Sequence, residues 1–158
     1  LSGDGKTTGE GIPLHLVLRH LLESDSVDDA IARFLRLPVS THGNIFIGSA
    51  DGSGAWIEIN GENHAVRRWS DEKAMHTNHY MLSPNRGARD SESVNRLAVA
   101  LRAVAEQKPE RDEERAEGVL AQPGVALQFR EDEALGRYGT VATVVIDLKA
   151  REMEVVGH

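Results

Sequence analysis

Apolar positions along this chain follow two periods, and the switch between them divides it. Pro13 suits the first turn of a helix, where its missing N–H has no intrahelical partner to lose. Behind it Leu14, Leu18, Leu21 and Leu22 recur at helical spacing up to about Glu23, which predicts a buried stripe. Ser26 with Asp29 three residues later reads as an N-cap, followed by Val27, Ala30, Ile31, Phe34 and Leu35 at i, i+3, i+4, i+7 and i+8. Two amphipathic helices are therefore predicted back to back, joined at Ser24-Asp25-Ser26, with Pro38 ending the second. From residue 44 the period falls to two. Asn44 to Ala50, Ala55 to Ile59, His64 to Trp69 and Met75 to Tyr80 read as four strands of a meander. They are separated by Asp51-Gly52-Ser53-Gly54, by the hairpin pair Asn60-Gly61 and by the charged turn Asp71-Glu72-Lys73. Sequential neighbours of this kind pair antiparallel.

Helical spacing returns after a loop at Pro84 to Arg89. Ser91 to Glu106 places Val94, Leu97, Ala98, Leu101 and Ala105 on one side. Pro109 to Ala121, with mixed charges at i,i+4 spacing, predicts an exposed helix that Gln122-Pro123-Gly124 breaks. The β-branched run Thr140 to Asp147 predicts a central strand covered on both faces. Lys149-Ala150-Arg151 turns it into an alternating partner, Glu152 to Val156. The order of paired helices and antiparallel strand blocks predicts an α+β fold with helices outside and sheet inside, a single domain over residues 1–158.

Composition narrows the function more than the fold. A formal charge of −7 argues against a nucleic-acid surface, which carries a basic stripe. With no cysteine there is no disulfide, thiolate metal site or sulfur nucleophile within these residues. No apolar run has the length of a membrane span. The opening Gly-Lys-Thr at 5–7 lacks the glycine spacing, preceding strand and immediately following helix of a phosphate loop, so the stretch Gly3 to Gly11 reads as a loop and no nucleotide cofactor is expected. Cytoplasmic placement is the expectation.

The densest chemistry lies in Met75-His76-Thr77-Asn78-His79-Tyr80. As a strand it would aim His76, Asn78 and Tyr80 one way and Thr77 and His79 the other. Two readings stand side by side: a solvated edge strand, or a site where the Asn78 amide is held rigidly and aimed at a substrate. A metal held by His76 and His79 fits poorly, because strand alternation separates the two rings. Glu58, between Ile57 and Ile59, reads as a solvent-facing strand residue. Arg137, in the loop at the entrance to the Thr140 strand, reads as either solvated or an anion-binding cation.

Four features coincide with one known family. They are Gly11-Ile12-Pro13-Leu14-His15-Leu16-Val17-Leu18-Arg19 leading into Leu21-Leu22-Glu23; Ser26-Val27-Asp28-Asp29-Ala30-Ile31; His76-Thr77-Asn78-His79; and Arg137 to Asp147 with its basic hairpin turn. The chain resembles the acyl-coenzyme A:6-aminopenicillanic-acid acyltransferase family, also called peptidase family C45, whose members are N-terminal-nucleophile hydrolases. The resemblance implies a four-layer αββα sandwich, a precursor that cuts itself before a cysteine, and attack by that cysteine on an amide or thioester carbonyl. By position it implies that Asn78 is the oxyanion-hole amide and that Arg137 is the cation near the nucleophile. It puts Asn60 at the acyl pocket, and His76 is taken with it on the substrate side. Acyl-coenzyme A enters as a substrate, not as a resident cofactor, and no metal is implied.

The family's nucleophile and its early aspartate precede the Gly-x-Pro helix, and Leu1 cannot serve as the nucleophile. The expectation is therefore a C-terminal portion, partnered by an N-terminal segment of the same precursor or completed by self-association into a homo-oligomer. Such a portion acts on a small-molecule amide or thioester only with that partner. The alternative is a non-catalytic interaction domain that keeps the fold without the nucleophile.

Overall fold

The computed structural model describes residues 11–39, 41–61, 63–70, 74–82, 91–106, 112–126, 128–133 and 136–157. The Gly-rich opening up to residue 10, the turn at 71–73 and the loop at 84–89 lie outside the described residues. The fold is mixed α+β with small antiparallel sheets, in two compact units, Leu1–Asp90 and Ser91–His158.

The first unit begins with α1 (Leu14–Leu21) and α2 (Val27–Phe34). Pro13 occupies the N-cap position of α1, and Ser26 caps α2 through its hydroxyl, which accepts from the Asp29 N–H at 3.1 Å. Asp29 in turn accepts from the Asp25 N–H and pairs with Arg33 one turn on. Burial opposes ionisation of this carboxyl, but the Asp25 and Arg33 contacts outweigh it and hold its pKa below the ordinary value. In α2 the predicted stripe is buried at Val27, Ala30, Ile31 and Phe34, while Leu35, just past the helix end, is exposed. In α1 the buried positions are Val17 and Leu21; Leu18 and Leu22 face out, contrary to the predicted stripe. The buried line runs through Leu14, Val17 and Leu21, which stay on one face at three- and four-residue steps.

Three strands follow as a meander: β1 (His42–Gly48), β2 (Ser53–Asn60) and β3 (Asn63–Ser70). Register pairs Ile45 with Ile57 and Ile57 with Val66, so alternate residues form two distinct faces. One face, with Ile45, Ile57 and Ile59, closes on Val17, Leu21, Ala30 and Phe34 of the helices. Arg68 extends from the same face to Asp28 of α2 at 2.9 Å. The opposite face carries His42, Asn44, Phe46, Trp56, Glu58, Arg67 and Trp69 by the same alternation. Both tryptophans of the chain are on it, with Phe46 between them at ring separations of 5.8 and 5.6 Å. Gly54, opposite Trp69, leaves room for the indole, which a Cβ there would overlap.

Met75 to Tyr80 does not form the predicted fourth strand. Residues 74–82 run as irregular chain. Glu58 does not face solvent either: it is 1% exposed. The two departures share one cause, developed in the next subsection.

The second unit contains α3 (Ser91–Glu106) and α4 (Asp112–Leu120). α3 buries Ser93, Ala100 and Ala103, while Val94 and Leu101 of the predicted stripe are exposed. α4 turns Val119 inward. A hairpin absent from the sequence reading joins β4 (Arg130–Asp132) to β5 (Gly136–Tyr138), so Arg137 belongs to a short strand and not to a loop. Among the described residues β6 (Ala142–Asp147) pairs with β7 (Glu152–Gly157) alone. Thr143 is buried on one face, whereas Val144 and Ile146 on the other are 48% and 58% exposed, so the strand is not covered on both faces. The turn between them is set by Asp147, whose Oδ1 accepts from the Lys149 and Ala150 N–H groups, and by Arg151 at φ 61°.

Two predictions follow from the first unit's helix–sheet layer. Ser26→Ala removes the α2 cap and lowers stability by about 1 kcal/mol, read from denaturant midpoints. His64, edge-on to Phe34 at 4.9 Å, has its pKa lowered from 6.5 by burial. The unfolded chain therefore takes up this proton first, and stability present above pH about 6.5 is lost as the pH falls toward the folded value. His64→Gln should show a shallower fall in melting temperature across that window, and an identical pH profile would contradict it.

Candidate active site

Glu58 enters the sheet with its carboxylate pointing away from the helices, into a place where a charge without partners would cost several kcal/mol. N–H groups of His76, Met81 and Leu82 are among its partners. Oε1 accepts from the Met81 backbone N–H at 2.6 Å and lies 2.9 Å from His76 Nε2; Oε2 accepts from the Leu82 N–H at 2.8 Å. The His76 and Glu58 side chains are 3% and 1% exposed. A strand running on through Leu82 would point the successive Met81 and Leu82 N–H groups in opposite directions. Folding them over one carboxylate instead is what makes the segment irregular.

Tyr80 fixes the same segment at a second point. Its hydroxyl donates to the Ile59 carbonyl at 3.1 Å and lies 3.0 Å from His42 Nδ1. Because that hydroxyl proton is directed at Ile59, His42 donates from Nδ1 to the Tyr80 oxygen. Thr77 Oγ1 and His79 Nδ1 are 3.1 Å apart, and the His79 ring stacks on that of His76 at 6.5 Å. Strand alternation would have separated those two rings. His79 and Tyr80 are both buried although adjacent, which no strand permits against a single layer.

Asn78 stands at the crest of this segment and is exposed, between His76 below and the buried pair His79 and Tyr80. Asn60 ends β2, half-buried, opposite His42 in the register. His76, Asn78 and Asn60 thus belong to the first unit; Asn60 lies on the sheet face that carries Trp56 and Glu58, and His76 packs against it. His76 borders Phe46 and Trp56 at ring separations of 6.2 and 6.1 Å. Arg137 belongs to the second unit, exposed, with its guanidinium 5.0 Å from the Phe129 ring centre. Among the described residues no group of three or more His, Asp or Glu side chains is gathered for a metal ion.

Sequence reasoning read Glu58 as solvent-facing and passed over His42, Asn44 and Trp56. The last three present His42 Nε2, Asn44 Oδ1 and Trp56 Nε1 as buried polar atoms with no hydrogen-bond partner among the described residues. The available signal was period two itself: residues 42, 44, 56 and 58 all alternate away from the isoleucines that face the helices.

Tyr80→Phe tests the second anchor. It leaves the Ile59 carbonyl and the His42 N–H facing an apolar ring edge, with an expected loss of about 1–3 kcal/mol in stability. Unfolding midpoints equal to the parent's would show that the anchor carries no weight.

Searches among curated proteins and among solved structures returned no match. The family model for acyl-coenzyme A:6-aminopenicillanic acid acyl-transferase matches residues 2–158. The His-Thr-Asn-His crest, the Gly-x-Pro helix and the meander between them all fall inside that match, and the chain belongs to this family.

Proposed function

We propose that this chain forms part of an amidohydrolase or acyltransferase of the N-terminal-nucleophile type, acting on amide or acyl-thioester bonds. Family membership supports acyl-transfer chemistry at this level. The observation that carries the finer reading is the exposure of Asn78 at the crest of a segment tied down on both sides. A residue in that setting reaches solvent while the chain on either side of it is held, and a side-chain amide donor contributes about 3–4 kcal/mol to a developing oxyanion.

In this reading Asn78 donates from Nδ2 to the carbonyl oxygen as the nucleophile attacks. Arg137 favours the thiolate form of the nucleophile, or the carboxylate of a substrate, by its charge. Asn60 and His76 belong to the acyl side of the site. With Nε2 committed to Glu58, His76 contributes its ring alongside Phe46 and Trp56. The sulfur comes from a cysteine-led N-terminal segment of the same precursor, since these 158 residues contain none. The assembled enzyme is a four-layer αββα sandwich made by autoproteolysis, working in the cytoplasm on a small amide or an acyl-coenzyme A thioester.

The absence of cysteine from the sequence also favours a second reading, a non-catalytic interaction domain. Intact-mass measurement of the purified native protein separates the two. The enzymatic reading predicts a companion polypeptide that starts with cysteine and gains the mass of an acyl group on incubation with an acyl donor. In that assembly Asn78→Ala lowers acyl-enzyme formation by roughly 100-fold or more. Unchanged acylation removes Asn78 from the mechanism, and a protein without such a companion leaves the interaction domain as the function.

A further inference from the structure

We propose that Glu58 is the positioning residue for Asn78. The inference rests on the reading of Asn78 as oxyanion donor and adds to it the group that holds that donor in place. Glu58 binds the chain on both sides of Asn78: His76 two residues before it, and the Met81 and Leu82 N–H groups three and four residues after. All three contacts converge on one carboxylate rooted in the central strand of the sheet. The crest between them is a short arc whose two feet stand on one side chain. Tyr80 adds a third attachment, to the backbone of Ile59, the residue after Glu58. Asn78 is thus exposed without its backbone being loose.

The chemistry favours a role beyond stability. An apolar residue at position 58 would match Trp56 and avoid the cost of burying a carboxylate. What such a residue could not do is accept three N–H groups at once and so set the path of the chain across the sheet. An oxyanion donor needs that fixed path, because displacement of a catalytic group by about 1 Å costs on the order of a hundredfold in rate.

The test is a double-mutant cycle in the assembled enzyme, with 4-nitrophenyl acetate as the acyl donor. The variants are Glu58→Gln, Asn78→Ala and the pair together. Glu58→Gln substitutes an NH2 for one acceptor oxygen and sets it against an N–H. The expected result is a fall in kcat of about tenfold or more with little change in KM, because the loss is confined to the transition state. In the Asn78→Ala background the same change should lower kcat no further. Amide hydrogen exchange in residues 77–82 should quicken in Glu58→Gln while that of α2 is retained. Glu58→Asp, which keeps the charge but shortens the reach, should fall between the two and serves if the glutamine variant does not fold. Full kcat in Glu58→Gln, or independent losses in the double variant, overturns the proposal while leaving Asn78 as donor. No loss in Asn78→Ala overturns both. A loss in Glu58 variants matched by faster exchange in every element reduces Glu58 to a general stabiliser, which also overturns it.

Discussion

The first unit depends on how one buried carboxylate finds its partners. Glu58 sits in the middle of a three-stranded sheet, and its neighbours on both sides, Ile57 and Ile59, are fully buried against the helices. Alternation therefore drives its side chain to the other face, where it is buried on the same side as Trp56. A carboxylate there must either be supplied with donors or not ionise. The chain supplies them by bending residues 76–82 over it, with one imidazole and two backbone amides. The sheet thus acquires a cover on its second face that is irregular backbone and not another strand, and irregular backbone can lift a residue such as Asn78 into the open.

That arrangement explains which parts of the structure could be read in the sequence. α2 was legible because cap and stripe agree: Ser26 closes its first turn, and Val27, Ala30, Ile31 and Phe34 all go inward. The meander was legible because Asn60-Gly61 and Asp51-Gly52 mark its turns, with Gly61 and Gly52 at φ 60° and 88°. The Met75–Tyr80 segment was not legible as it stands. Its polar residues suggest a solvated edge, but His76 is held by an acid 18 residues away and Tyr80 by groups 21 and 38 residues away, and no local period encodes contacts at those separations. Glu58 was misread for the same reason: alternation gives the face a residue takes, not whether that face is wet.

The second unit shows the limit of counting apolar residues. α3 buries Ser93, Ala100 and Ala103 while Val94 and Leu101 are exposed, so its inner face is not the one its largest apolar side chains mark. In β6 a continuous β-branched run predicted cover on both sides, yet Val144 and Ile146 are exposed where they oppose Val155 and Met153 of β7. Composition there reports strand propensity and does not report layers. For the candidate site, the motif His76-Thr77-Asn78-His79 was visible at once, whereas the buried polar face beneath it, from His42 to Glu58, emerged only from the register.

Family membership and the clamped segment 76–82 meet at one amide, that of Asn78. The most direct test is a structure of the proposed assembly with a tetrahedral-intermediate analogue bonded to the proposed cysteine nucleophile. The expectation is Asn78 Nδ2 at about 2.7–3.1 Å from the oxyanion, above an intact Glu58–His76 contact. An oxyanion held by other donors, with Asn78 turned away from it, would contradict the account.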